Sequence, residues 1–198
     1  MSQNPIRVML IDDEPHVLSS LKRLLRQHPP VPGQPFQVEA FDSPLEAVEA
    51  SRERTVDVVV SDYRMPGLDG VETLRRIKDL QPHCGRILLS GSREFDTVVD
   101  AVNVAQVGRI VIKPWCDSEL LAAVRDAVET RRLRLENAEL ADQVRLQRGQ
   151  LTRQEAELRR IENRWPGITQ VEWGADGSVC MTLDDIDVAD PFAPAPRG

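Results

Sequence analysis

The chain predicts an α/β fold: a doubly wound, five-stranded parallel sheet, extended at its carboxyl end by a long coiled-coil helix and a small β-hairpin. Two observations predict the sheet. Five short apolar runs alternate with segments of helical period over the first 130 or so residues, and alternation of that kind demands a parallel sheet with helices on both faces. Each apolar run also ends abruptly on a polar residue or a turn former, the boundary a buried parallel strand leaves in sequence. A third observation, a run of heptad spacing from Leu133, marks a separate carboxyl-terminal unit.

Ile6-Arg7-Val8-Met9-Leu10-Ile11 reads as the first strand, closed by Asp12-Asp13-Glu14-Pro15. Val17, Leu18, Leu21, Leu24 and Leu25 then fall on one helical face, and Pro29-Pro30 ends that helix. Phe36 to Phe41 is the second strand. Ser43 and Pro44 supply an N-cap and first helical residue for a helix carrying Leu45, Ala47 and Val48. The third strand, Val56 to Asp62, runs into Tyr63-Arg64-Met65-Pro66-Gly67-Leu68-Asp69-Gly70, where Pro and Gly force a turn. A helix through Val71, Leu74 and Ile77 follows. Arg86 to Ser90 is strand four, Phe95 to Gln106 the helix after it, and Arg109 to Ile112 strand five, closed by Lys113-Pro114-Trp115. A last helix opens near Asp117-Ser118-Glu119.

From Leu133, positions 137, 140, 144, 147, 151, 154, 158, 161 and 165 keep alternating steps of four and three. Sustained over four heptads, this predicts a two-stranded coil over 131–165, with Asn137 at an a position setting register. Gln147 and Gln154 weaken the seam, and Glu157 and Glu162 would face each other in a parallel pair. Because Gly149 falls at an outward position, one rod from Asp117 to Trp165 is expected, 49 residues and roughly 73 Å long. A homodimer through residues 133–165 follows. The alternative is a single amphipathic helix folded back on the domain. Residues 166–183 read as a β-hairpin around Gly174-Ala175-Asp176-Gly177, and 184–198 as an acidic, Pro-rich, disordered tail.

A formal net charge of −7 and a pI near 5.1 argue against nucleic acid or an anionic membrane surface as the main partner. Residues 131–165 carry nine basic and six acidic side chains (+3), and 166–198 one and six (−5). The basic coil face reads as solvated rather than as a nucleic-acid patch. Cys84, Cys116 and Cys180 show no metal or disulfide spacing. With no signal peptide or membrane segment in view, a soluble cytoplasmic chain is expected.

The polar residues at the strand ends share one rim of the sheet, where open α/β sheets place their ligands. Asp12, Asp13 and Asp62 there form a cluster of like charges that calls for a cation, and carboxylate oxygens suit Mg²⁺. A carboxylate so held can attack a phosphoryl group, with Lys113 neutralising the transferred oxygens and the Ser90 hydroxyl meeting them.

The acidic pair Asp12-Asp13, Asp62 in S-D-Y-R-M-P-G-L-D-G, Ser90 in L-L-S-G and Lys113 in I-K-P-W resemble the receiver domain of bacterial two-component response regulators (CheY-like) over residues 1–130. The resemblance implies the flavodoxin-like strand order 2-1-3-4-5 and phosphorylation of Asp62 by a sensor histidine kinase. It implies Mg²⁺ held by Asp13 and Asp62, by Asp12 through water and by the backbone carbonyl of Arg64, and a cis peptide at Lys113-Pro114. Ser90 and Lys113 would bind the phosphoryl group. The family's aromatic residue three positions before the lysine is Ile110 here, so a ring-rotamer signal is not expected. The Lys-Pro-Trp ending resembles regulators fused to HD-GYP phosphodiesterases or transcription activators. Neither output is expected in residues 131–198, and a phosphorylation-controlled, non-enzymatic regulator is the leading reading. Alternatives are a phosphate-shuttling adaptor, an aspartyl-phosphate phosphatase, for which Arg64 occupies the position of the needed second carboxylate, and a DNA-binding regulator.

Overall fold

A computed structural model describes residues 5–29, 34–91, 103–149 and 151–164. Five strands, β1 (Ile6–Ile11), β2 (Phe36–Phe41), β3 (Val58–Asp62), β4 (Gly85–Gly91) and β5 (Arg109–Lys113), form one sheet. The order is β2-β1-β3-β4-β5, and every neighbouring pair is parallel. β3 is central and buried at all five positions, which is why its sequence is a continuous Val run rather than an alternating one.

Helices α1 (Pro15–Gln27), α2 (Pro44–Glu53), α3 (Gly70–Leu80) and α4 (Asp117–Gln147) cover the two faces. α1 and α4 enclose one core through Leu18, Leu21, Leu25, Leu120 and Val124 against Val8, Leu10, Val58 and Val60. α2 and α3 enclose the other through Ala47, Val48, Leu74 and Ile77 against Met9, Ile11, Val59 and Leu88. Successive β3 side chains thus feed opposite cores, as the strand period requires. Local chemistry sets the helix starts: Ser43 Oγ accepts the Glu46 N–H at 3.4 Å, and Asp69 Oδ1 accepts the Glu72 N–H at 2.8 Å. The helix expected over Phe95–Gln106 lies mostly outside the described residues, as do the β-hairpin and tail expected over 166–198.

The carboxyl-terminal extension departs from the expected single rod. α4 stops at Gln147, and α5 (Arg153–Arg164) folds back antiparallel to it. Gly149 explains the break. Its φ is +66°, a left-handed conformation glycine adopts without a Cβ clash, and its N–H bonds the Leu146 carbonyl at 3.1 Å, closing the helix. Thr152 and Glu155 then start α5 with reciprocal bonds: the Thr152 N–H donates to Glu155 Oε2 at 2.8 Å, and Thr152 Oγ1 accepts the Glu155 N–H at 3.3 Å. Heptad spacing cannot register a stop signal placed at an outward position.

α5 is tied to its surroundings at two points. Arg159 and Arg145 both bind Asp142 Oδ1, at 3.4 and 2.9 Å. Asn163 Oδ1 lies 3.2 Å from His83 Nε2 at the entry to β4. Between the helical hairpin and the amino end of the sheet lies a groove of about 610 Å³, lined in part by Arg7, Asp57, Arg131, Leu135 and Arg160.

Candidate functional site

The site sits at the carboxyl end of the sheet, where β1 and β3 are neighbours and their crossovers leave on opposite sides. Asp12 follows β1 and is fully buried, and Asp62 is the last residue of β3 at 7% exposure. Ser90, on neighbouring β4, is buried too. Lys113 ends β5 beside the cis Lys113–Pro114 peptide. Its ammonium reaches back across the rim to Asp62 Oδ1 at 2.5 Å and Asp12 Oδ2 at 3.0 Å.

Backbone groups hold the carboxylates. Asp62 Oδ2 accepts the Arg64 N–H at 2.8 Å, and Asp12 Oδ1 accepts the Glu14 N–H at 2.9 Å. The loop after β3 is pinned by Tyr63 N–H to the Leu89 carbonyl (2.9 Å) and Gly70 N–H to the Tyr63 carbonyl (2.8 Å). Gly70 has to be glycine on grounds of space alone, because a Cβ there would overlap the Asp62 carbonyl. Ser90 Oγ donates to the Gly91 carbonyl at 3.3 Å.

Burial pushes the Asp62 carboxyl above the ordinary aspartate value. The Lys113 hydrogen bond and charge, with the Arg64 N–H, pull it back only partly, and the Asp12 charge raises it further. At Lys113 burial acts downward, but the bonds and charges of Asp62 and Asp12 together win and raise its pKa. Two buried carboxylates thus share a single ammonium.

The structure brings Asp12, Asp62, Ser90 and Lys113 to one rim and places the Arg64 backbone there through its N–H. Asp13, next to Asp12 in the chain, is exposed, and among the described residues no three acidic, His or Cys side chains stand together as a metal cluster. Lys113 is the cation that the Asp12–Asp62 pair meets here. The donor set still suits Mg²⁺, since Asp12 and Asp62 turn hard carboxylate oxygens on one cation in a site of low exposure. The Lys113–Asp12 bond itself escaped the sequence reading, which aimed Lys113 only at the phosphoryl group. Ile110 pairs in register with Leu88 and packs against the core under α2 and α3, a half-buried aliphatic at that position.

Comparison with known proteins decides the family. The model of the response regulator receiver domain matches residues 8–125, more than half of the chain. The chain belongs to the response regulator receiver family. Receiver domains bind Mg²⁺ at their phosphorylation site, and response regulators receive their phosphoryl groups from sensor histidine kinases. This receiver is 33% identical over 133 residues to the hydrogenase transcriptional regulatory protein HoxA of Cupriavidus necator, covering 67% of this chain and 26% of that one. It is 37% identical over 134 residues to the C4-dicarboxylate transport transcriptional regulatory protein DctD of Pseudomonas aeruginosa, covering 68% and 28%. The matches thus span about a quarter of the length of these curated relatives. Among solved structures, the signal receiver domain of an HD domain-containing protein from Pseudomonas fluorescens Pf-5 superposes with a TM-score of 0.63 at 29% identity, covering 69% of this chain and 96% of that one. No helix among the described residues is long and apolar enough to cross a membrane.

Proposed function

We propose that this receiver accepts a phosphoryl group on Asp62 from a sensor histidine kinase and transmits its state through α4 and α5 to a protein partner. The observation that carries the reading is the single ammonium of Lys113 bonded to both Asp62 and Asp12 at the switch point of the sheet. An Asp62 carboxylate oxygen attacks phosphorus, the bond from phosphorus to the donor's leaving atom breaks with its electron pair, and an acyl phosphate remains on Asp62. Lys113 stays beside the new phosphoryl oxygens, and the Ser90 hydroxyl, freed from the Gly91 carbonyl, offers them a hydrogen bond. Asp12, Asp13, Asp62 and the Arg64 carbonyl would hold Mg²⁺, which when bound neutralises charge on the transferring group.

Phosphorylation can shift only an equilibrium that already exists, by its differential affinity for the two arrangements. Lys113 provides such a difference. A phosphoryl group on Asp62 takes over the Lys113 contact, Asp12 loses its partner, and the end of β5 that leads into α4 is rebalanced. The reading takes the output to be non-enzymatic, and the net charge of −7 argues against DNA as its partner.

The test is intact-protein mass spectrometry after incubation with acetyl phosphate, with and without Mg²⁺. One added phosphoryl group, dependent on Mg²⁺ and missing in Asp62→Ala, is expected. Equal labelling of Asp62→Ala, or none of the wild type, contradicts the reading.

A further inference from the structure

The groove between the helical hairpin and the amino end of the sheet combines guanidinium groups with aliphatic surface. Arg7 of β1, Arg131 and Arg132 of α4 and Arg160 of α5 line it, with Ile6, Val128 and Leu135 among them. Asp57 is committed to the Arg7 N–H and to Arg131. The other acids of the lining, Glu136 and Glu139, are exposed. Four guanidinium groups thus stand against three carboxylates, an excess of +1. Arg132 and Arg160 hold only exposed partners three residues away on their own helices, Glu129 at 2.7 Å and Glu157 at 3.7 Å. Such pairs are weak and exchange readily for another carboxylate.

Arg131 supplies the sharper observation. Its Nη1 bonds Asp57 Oδ1 at 2.9 Å, but its Nε is the one buried side-chain donor among the described residues that has no acceptor. A buried donor left unpaired costs stability. A carboxylate entering the groove beside Arg131 is the acceptor this donor lacks. The groove face of α4 lies about 140° around the helix, at 100° per residue, from exposed Leu133, Leu140 and Val144. It is a surface separate from that apolar stripe.

We propose that this groove docks an acidic, aliphatic peptide segment, and that its occupant is this chain's own Asp184-Asp185-Ile186-Asp187-Val188, which lies outside the described residues. Charge and distance select that occupant. Residues 166–198 carry a net charge of −5 against +3 on 131–165, and Asp184, Asp185 and Asp187 are three of the six acids there. α5, whose Arg160 and Asn163 line the groove, brings the chain to its rim at Arg164. Nineteen residues then separate Arg164 from Asp184, and a random coil of that length spans roughly 24 Å. Bound in extended form, the segment turns Asp185 and Asp187 to one side and Ile186 and Val188 to the other. That alternation matches a lining of guanidinium and aliphatic groups. Tethered in this way, the segment acts at an effective concentration on the order of 1 mM. It therefore masks the groove against a partner segment of the same chemistry. The inference does not depend on phosphoryl transfer at Asp62, which lies at the opposite end of the sheet.

The probe is a fluorescent peptide of residues 182–190, titrated by anisotropy against the full chain. Three proteins are compared: wild type, a tail variant carrying Asp184→Asn, Asp185→Asn and Asp187→Asn, and that variant with Arg132→Ala and Arg160→Ala added. Both arginines are exposed, and circular dichroism checks that the fold is kept. The peptide is expected to bind the tail variant, and to bind wild type at least about tenfold more weakly because the chain's own segment competes. Removing the two arginines should weaken binding by at least about fivefold. No binding to the tail variant, equal binding to the tail variant and wild type, or indifference to the arginines overturns the proposal. A scrambled peptide of the same composition that binds as tightly overturns it too, leaving charge attraction without a site. Masking in wild type that deepens with protein concentration places the segment on a second copy and overturns the occupant in cis.

Discussion

Two aspartates five residues apart, one just before β3 and one at its end, show how the two ends of one strand serve opposite purposes. Asp57 precedes the strand at the amino end of the sheet. Its Oδ2 accepts the Arg7 backbone N–H at 2.7 Å and its Oδ1 pairs with Arg131 of α4 at 2.9 Å. Asp62 ends the strand at the other rim, buried, pushed up in pKa, and sharing one ammonium with Asp12. Asp57 fastens the helical extension to the sheet with a dedicated guanidinium. Asp62 has only a shared partner, which leaves it poised to exchange that partner for a phosphoryl group. A carboxylate with a guanidinium of its own holds the scaffold; a carboxylate that shares its ammonium makes the switch.

The sharpest way to break this contrast is to remove the two cations in turn. Lys113→Ala should slow phosphoryl uptake from acetyl phosphate by roughly 10²–10³-fold, the scale of losing one charge-stabilising donor. Arg131→Ala should leave the rate within about twofold of wild type. Comparable losses in both would erase the distinction.

Next come two stability changes, measured by urea unfolding. Gly70→Ala drives a Cβ into the Asp62 carbonyl, and overpacking of that kind costs about 1–3 kcal/mol. Asp57→Ala strands the Arg131 guanidinium and the Arg7 N–H, a loss of about 1–3 kcal/mol. Phosphoryl uptake should fall in the first and survive in the second.

Asp62→Asn should raise stability at neutral pH in Mg²⁺-free buffer. A carboxyl whose folded pKa is raised contributes its stability in full below its unfolded pKa and loses it as pH rises through the folded value. The ionised Asp62 is therefore a burden at pH 7, the amide removes it, and the advantage should vanish in acid. Equal melting temperatures of the two proteins at pH 7 would contradict this.

The smallest expected effect is at Glu72 on α3, where bonds first to Arg75 and then to Arg76 hold the carboxyl down to about 2. A depressed acid contributes above its unfolded value, near 4.5, and loses that contribution as pH falls toward about 2. The side chain is 31% exposed, so solvent screening leaves at most about 0.5 kcal/mol per pair. Added salt should shrink the difference between wild type and Glu72→Gln across that window.

Much of the carboxyl-rim site was legible because parallel strands announce their own ends: the apolar runs stop at Asp12, Asp62, Ser90 and Lys113, and Asp12, Asp62 and Lys113 meet there, with Ser90 at the same end of neighbouring β4. β1 and β2 have the bounds their apolar runs suggest, and α2 starts at the Ser43–Pro44 signal. The amino end was not legible. Asp57 and Arg131 lie 74 residues apart in sequence, and nothing local marks them as partners; only the packing of α4 on the sheet does. The extension was half legible: the heptads mark the uncovered stripe of α4, whereas the stop at Gly149 depends on a backbone angle that side-chain periodicity does not encode. Asp13, which the family resemblance implies as a Mg²⁺ ligand, follows the buried Asp12 and is exposed.

The most direct test of the poised rim against the fixed base is to locate the acyl phosphate itself. After phosphorylation, borohydride reduces an aspartyl phosphate to homoserine, and peptide mapping reads the position. The account predicts homoserine at position 62 alone. Homoserine at position 57, 12 or 13, or an even spread over the four, would contradict it.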